Sequence, residues 1–273
     1  MYPPELIKKE ALRRGLRPRT ILTYQNCVRV FFQRCKKEPF QVNKKDIQDF
    51  LDHLLEKGAP GNTLNVYLNA LKFFYEEVLN RRLTLKIRYT KVAKKLPDFL
   101  TKEETVRLIS SIENPKHSLL IRLLYSSGLR ISELLNLKIK DLNILEGHGW
   151  VRNGKGGKDR PFIIAHSLKE ELINYTKNKS SKEWLFVGWN NSPYDASSVR
   201  EILKKAVKKA KLSKKVHPHM LRHSFATHLI QNGYSPLEVQ PLLGHNSVNT
   251  TLVYVHLAAA NLLNVKSPLD GLR

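Results

Sequence analysis

Cysteine is almost missing from this sequence: Cys27 and Cys35 are the only two in 273 residues. Eight positions apart on what reads as one helix, they face the same general way but cannot reach each other, so reduced core thiols are expected rather than a disulfide. Long apolar runs are lacking as well. None approaches the roughly 18 residues that a membrane span needs, and the N-terminus carries no apolar signal core. A soluble, cytoplasmic protein without a membrane partner is therefore expected. No Gly-x-x-x-x-Gly-Lys-Ser/Thr run occurs, so no nucleotide is implied. His217, His219 and His223 lack a Cys pair or an acidic ligand at zinc-site spacing, so neither a metal nor any other cofactor is implied.

Acidic residues form the last shortage, and it is the informative one. With 24 Asp+Glu against 47 Lys+Arg, the net charge is +23, a field that draws in polyanions. Residues 1–97 hold 21 basic and 9 acidic residues, and residues 98–273 hold 26 and 15, so the excess is +12 and +11. Two basic halves of this kind suggest that both grip one duplex of nucleic acid, whereas a basic tail on a neutral body would suggest simple tethering. A Lys-rich surface of the thermophile kind is the alternative that charge alone leaves open.

The apolar content, 41%, is that of an ordinary globular chain, and the length suits two domains. The first third reads as helices. Ile21, Tyr24, Val28, Phe31, Phe32 and Cys35 fall at three- and four-residue steps; a second stripe runs from Ile47 to Leu55 between Asn43 and Gly58, and a third from Leu64 to Leu79. The period lapses between Asn80 and Leu96 in a basic stretch closed by Pro97. The expected division is a helical domain over 1–80, a linker over 81–97 and a second domain over 98–273.

In the second domain, Thr101 and Glu104 stand at capping-box spacing ahead of a helix. Another helix runs from about His117 to Gly128, and a short one carries Arg130, Glu133, Leu134 and Leu137. The Gly-rich, alternating run from Gly149 to Ala165 predicts a hairpin, with Trp184–Val187 as a third short strand. Helices follow over Asp195–Lys211 and His219–Gln231. Ser235, Pro236 and Glu238 open a further helix that Gly244 stops. The fold class is mainly α with a small antiparallel β-sheet.

Four fragments carry chemistry: Ser127-Gly128-Leu129-Arg130; Gly154-Lys155-Gly156-Gly157-Lys158-Asp159-Arg160; His219-Met220-Leu221-Arg222-His223; and Leu243-Gly244-His245, followed nine residues later by Tyr254. Arg130 and Arg222 supply fixed-charge donor forks for a phosphate. Lys155 can give up a proton, His219 and His245 can donate or accept one, and Tyr254 can attack. Taken singly, each fragment has a plainer reading as a surface ion pair, a hairpin tip or half-buried packing.

Their order and spacing resemble the tyrosine recombinase (phage integrase) family over residues 98–273. The run Leu221-Arg222-His223-Ser224-Phe225-Ala226-Thr227-His228 and the Leu242-Leu243-Gly244-His245 run ending in Thr251-Leu252-Val253-Tyr254 are the most specific parts. A weaker helical similarity covers the first 90 residues. Within the family the chain looks most like the compact Xer-type enzymes, archaeal ones included.

The resemblance implies a helical core-binding domain followed by a mixed α+β catalytic domain. It implies a covalent 3′-phosphotyrosine at Tyr254, Arg130 and Arg222 on the nonbridging oxygens, Lys155 as general acid with Lys158 as its competitor, His219 as base or hydrogen-bond partner, and His245 as a donor to the phosphate. The implied partners are a double-stranded recombination site and three further protomers in a tetrameric synapse, with the apolar tail after Tyr254 docking on a neighbour. A phage or transposon integrase and a type IB topoisomerase share this chemistry. A noncatalytic DNA-binding regulator would need no tyrosine at that spacing.

Overall fold

The computed structural model describes residues 3–81, 97–154, 157, 159–188, 192–244 and 248–257. The chain divides into two compact units, Met1–Lys94 and Lys95–Arg273. The expected linker over 81–97 lies almost wholly outside the described residues; of the expected docking tail after Tyr254, the first three residues continue α12 and the rest, from residue 258, lies outside them.

The first unit is a helical bundle: α1 (Pro3–Arg13), α2 (Pro18–Cys35), α3 (Lys44–Glu56) and α4 (Gly61–Lys72). The expected apolar stripes become its core, with Val28, Phe31, Ile47, Leu51, Leu71, Phe74 and Tyr75 fully buried. Asn43 opens α3 as half of a reciprocal capping box with Asp46, which satisfies two otherwise orphaned backbone donors. α1 has no counterpart among the expected helices. The helix expected to run from Leu64 to Leu79 changes its winding, and Phe73–Val78 is a π-helical turn. Cys27 and Cys35 are both free thiols.

The second unit holds α5 (Lys102–Ser110), α6 (Pro115–Ser126), α7 (Ile131–Leu135), a three-stranded sheet, α8 (Lys169–Thr176), α9 (Ala196–Lys209), α10 (Pro218–Gln231), α11 (Pro236–Leu243) and α12 (Val248–Leu257). The Thr101–Glu104 and Ser235–Glu238 capping boxes both form. The sheet is antiparallel, in the order β1 (Leu142–Asn143), β2 (His148–Val151) and β3 (Arg160–Ile163).

One strand differs from expectation. The third strand is the two-residue β1, whereas Trp184 and Val187 make only isolated bridges, to Lys138 and Pro193. Leu185 and Phe186 are fully buried there, so the apolar run reflects core packing and not a ladder. Among the described residues, no helix is long and apolar enough to cross a membrane.

Candidate active site

α6 ends on the turn Ser127–Gly128, and the sequence leaves that turn no freedom. Gly128 has φ +59°, and a Cβ there would come within 2.3 Å of the Phe225 ring on α10. Leu129 then buries completely as an anchor, which puts Arg130 at the N-cap of α7 in extended conformation. The carboxylate of Glu133 accepts from both the backbone N–H of Arg130, at 2.9 Å, and its Nη1, at 2.6 Å. Arg130 is thereby oriented while its side chain keeps 20% of its surface exposed.

Glu133 is shared. Oε2, the oxygen that accepts the Arg130 backbone N–H, also pairs at 2.6 Å with Nη2 of Arg160, the first residue of β3, and both side chains are more than nine-tenths buried. Burial raises the Glu133 carboxyl, but Arg160 and Arg130 outweigh it and hold the group below the usual carboxylate range. Burial pushes the Arg160 guanidinium down, with Glu133 pulling the other way. Nη1 of Arg160 donates to the carbonyl of Leu242 in α11.

α10 carries the second arginine. His219 and Arg222 are three apart and His219 and His223 four apart, so the three side chains occupy one side of the helix. Arg222 is 3% exposed and donates to the carbonyl of Gly128, at 2.5 Å, and to that of Leu243. Burial, then the nearby Arg130, brings its guanidinium down to about 10, still protonated at neutral pH. Carbonyl dipoles orient this group without cancelling its charge. Arg130 and Arg160 share the one carboxylate of Glu133, so positive charge is concentrated where α7, β3 and α10 meet. Concentrated positive charge of this kind suits an anion.

His219 is pushed below the usual histidine range by burial and then by Arg222, His217 and Arg130, which leaves it neutral at pH 7. His223 is brought down to about 4 by burial and then by His219, His217 and Arg222.

Tyr254 on α12 packs with Phe225, Ala226, Val239 and Leu243 and is 3% exposed. Its hydroxyl stands 3.0 Å from Nδ1 of His223. Burial raises its phenol above the usual range, and the fields of Arg222 and Arg130 oppose that rise. Arg130, His219, Arg222 and Tyr254 are thus gathered at α7, α10 and α12. Lys155 and His245 lie outside the described residues.

Three members of the cluster went unassigned in the sequence: Glu133, Arg160 and His223. Glu133 had a local signal, being an acid three positions after Arg130, the spacing that closes a first-turn pair. Arg160 and His223 stood inside the quoted fragments, but their partners are 27 and 31 positions away.

Residues 98–261 match the phage integrase family, and residues 6–85 match the phage integrase N-terminal SAM-like domain. A tyrosine recombinase XerA of Pyrococcus furiosus is 39% identical over 239 residues, covering 85% of this chain and 82% of the relative. Among solved structures, a XerA recombinase is similar with TM-score 0.57 and 27% identity over 97% of this chain and 98% of that one. The XerH site-specific recombinase, in a post-cleavage complex with a palindromic difH substrate, is similar with TM-score 0.74 and 26% identity over 89% of this chain and 78% of that one.

Proposed function

The chain belongs to the phage integrase family as a Xer-type tyrosine recombinase, a site-specific DNA recombinase, and from that premise we propose which of its residues do the work and on what assembly. The Tyr254 oxygen attacks the scissile phosphate and becomes joined to the 3′ phosphate. Arg130 and Arg222 hold the nonbridging oxygens and stabilise the charge that accumulates in the pentavalent state. Lys155 protonates the departing 5′ oxygen, His219 serves as base or hydrogen-bond partner, and His245 donates to the phosphate. The phosphotyrosine conserves the energy of the broken bond, so religation by a 5′ hydroxyl from a second duplex needs no ATP.

The observation that carries this reading is the guanidinium cluster. Arg130 and Arg222 are fixed from behind by Glu133 and by the carbonyls of Gly128 and Leu243, and the buried hydroxyl of Tyr254 lies within their field. Such donors need no reorganisation when charge develops. Both basic units contact phosphates of one recombination site, and strand exchange takes two duplexes and four protomers. The similarity to Xer recombinases favours resolution of chromosome dimers as the task.

A suicide substrate, in which a nick near the scissile phosphate lets the 5′ fragment diffuse away, tests the roles. Wild type should accumulate a covalent protein–DNA adduct, and Tyr254→Phe should bind the site without forming one. Arg130→Ala or Arg222→Ala should slow cleavage by roughly 10²- to 10³-fold, the loss typical of one transition-state donor. Adduct formation by Tyr254→Phe would reassign the nucleophile, with Tyr234 the first to check.

A further inference from the structure

Arg160 closes a ring. Starting at Arg130, the backbone and side chain are held by Glu133; Glu133 pairs with Arg160; Arg160 donates to the carbonyl of Leu242; the next carbonyl, that of Leu243, is held by Arg222; and Arg222 donates to the carbonyl of Gly128, two residues before Arg130. Two short segments, Gly128–Arg130 and Leu242–Gly244, are therefore braced against each other twice. Arg222 makes one brace, and the Glu133–Arg160 pair makes the other.

The second brace has a space made for it. Gly244 adopts φ +59°, and a Cβ on it would lie 2.5 Å from Cδ and 2.8 Å from Nε of Arg160. Arg160 itself is 8% exposed, at the first position of β3, five residues after Lys155 in the sequence. A buried ion pair is by itself weak evidence of a role in stability, since apolar side chains of similar volume can often replace the whole pair at no cost. This one touches both segments that frame the phosphate-binding arginines.

We propose that Arg160 is a positioning residue of the cleavage reaction, fixing Arg130 through Glu133 and tying it, through the Leu242 carbonyl, to the segment that anchors Arg222. The role rests on the site assigned above. A planar fork is what it requires: Nη2 meets a carboxylate while Nη1 meets a carbonyl on another element, and a lysine ammonium, a single point of donation, spans the two poorly. Loss of the brace loosens the spacing of the two phosphate-holding guanidiniums and leaves the DNA surface itself untouched.

The test is single-turnover cleavage of the suicide substrate at saturating DNA, for Arg160→Met, Arg160→Lys and each combined with Arg130→Ala. Arg160→Met should cleave at least 10-fold more slowly than wild type while binding the site with unchanged affinity, and Arg160→Lys should fall between the two. Because Arg160 acts through Arg130, the cost of Arg130→Ala should shrink by a similar factor in the Arg160→Met background, a non-additivity that loss of fold stability does not produce. Should Arg160→Met fail to fold, the same comparison is made with Arg160→Lys. Wild-type cleavage by the folded variants, or a cost of Arg130→Ala that is the same in both backgrounds, overturns the role. Tyr254→Phe run alongside separates the two levels: adduct from that variant overturns the site assignment and this role with it. An inert Tyr254→Phe together with full cleavage by the Arg160 variants overturns the role of Arg160 alone.

Discussion

Nδ1 of His223 stands 3.0 Å from the hydroxyl of Tyr254, so the residue that follows Arg222 on α10 holds the proposed nucleophile on α12. The ring and the phenol face each other in a tilted arrangement with centroids 5.7 Å apart. With His223 brought down to about 4, the imidazole is neutral near pH 7 and either accepts from the hydroxyl or donates to it. In either case the Tyr254 hydroxyl is held and shielded. Tetranitromethane modification, mapped by mass spectrometry, reads this directly. Tyr234, which is 51% exposed, should be nitrated well before Tyr254, which is 3% exposed. His223→Ala should speed modification of Tyr254 and leave Tyr234 unchanged; equal rates at both tyrosines in the wild type would contradict the shielding.

The same pair makes stability depend on pH. A histidine whose folded value lies near 4 but whose ordinary value is 6.5 binds more proton in the unfolded chain at every pH between the two. Stability therefore rises with pH across that window and is lost as pH falls from about 6.5 to about 4. His117, His219 and His228 are also lowered by burial and push in the same direction. Thermal unfolding followed between pH 4 and 7 should show Tm falling on acidification, with a visibly shallower fall in His223→Gln. An unchanged slope in that variant would mean that His223 is not the buried neutral group described.

Much of the fold was legible because it is local. Asn43 with Asp46, Thr101 with Glu104, and Ser235 with Glu238 each solve the start of a helix within four residues, and all three boxes form. The apolar stripes of α2 and α3 likewise report the face that buries. What stayed hidden depends on distant partners. The two-residue β1 is too short to carry a period, and Trp184–Val187 resembles a strand because its centre is buried, not because it pairs along a ladder. At the site, the grouping of Arg130 with Arg222 was legible from motif spacing. The ring through Glu133, Arg160 and Leu242 was not, since Arg160 reaches 27 positions back and 82 forward to complete it.

Salt dependence checks whether both units share the DNA. Their charges, +12 over residues 1–97 and +11 over 98–273, are nearly equal. With roughly 6 to 10 phosphates contacted in all, affinity should fall roughly 10³- to 10⁵-fold between about 50 and 200 mM salt. Deleting residues 1–95 should remove a substantial part of the slope, because released counterions scale with the phosphates neutralised. A slope unchanged by the deletion would confine DNA contact to the second unit.

Lys155 is singled out by its place between Gly154 and Gly156 in the sequence, 25 residues after Arg130, and Lys158 is its neighbour and competitor. An alkoxide is a poor leaving group, and an ammonium beside the 5′ oxygen supplies the missing proton as the P–O bond breaks. A 5′ thiolate leaves without that help, because a thiol is far more acidic than an alcohol. Lys155→Ala should accordingly be severely slow on ordinary DNA and largely restored on a substrate with sulfur at the bridging 5′ position. Arg130→Ala loses stabilisation of charge on the nonbridging oxygens, which sulfur at the bridge does not replace, so it should stay slow on both substrates. Selective rescue of Lys158→Ala instead would move the general acid three residues along the chain. Rescue of neither lysine variant would remove lysine as the proton donor and leave His219, neutral and beside Arg222, as the next side chain to put through the same comparison.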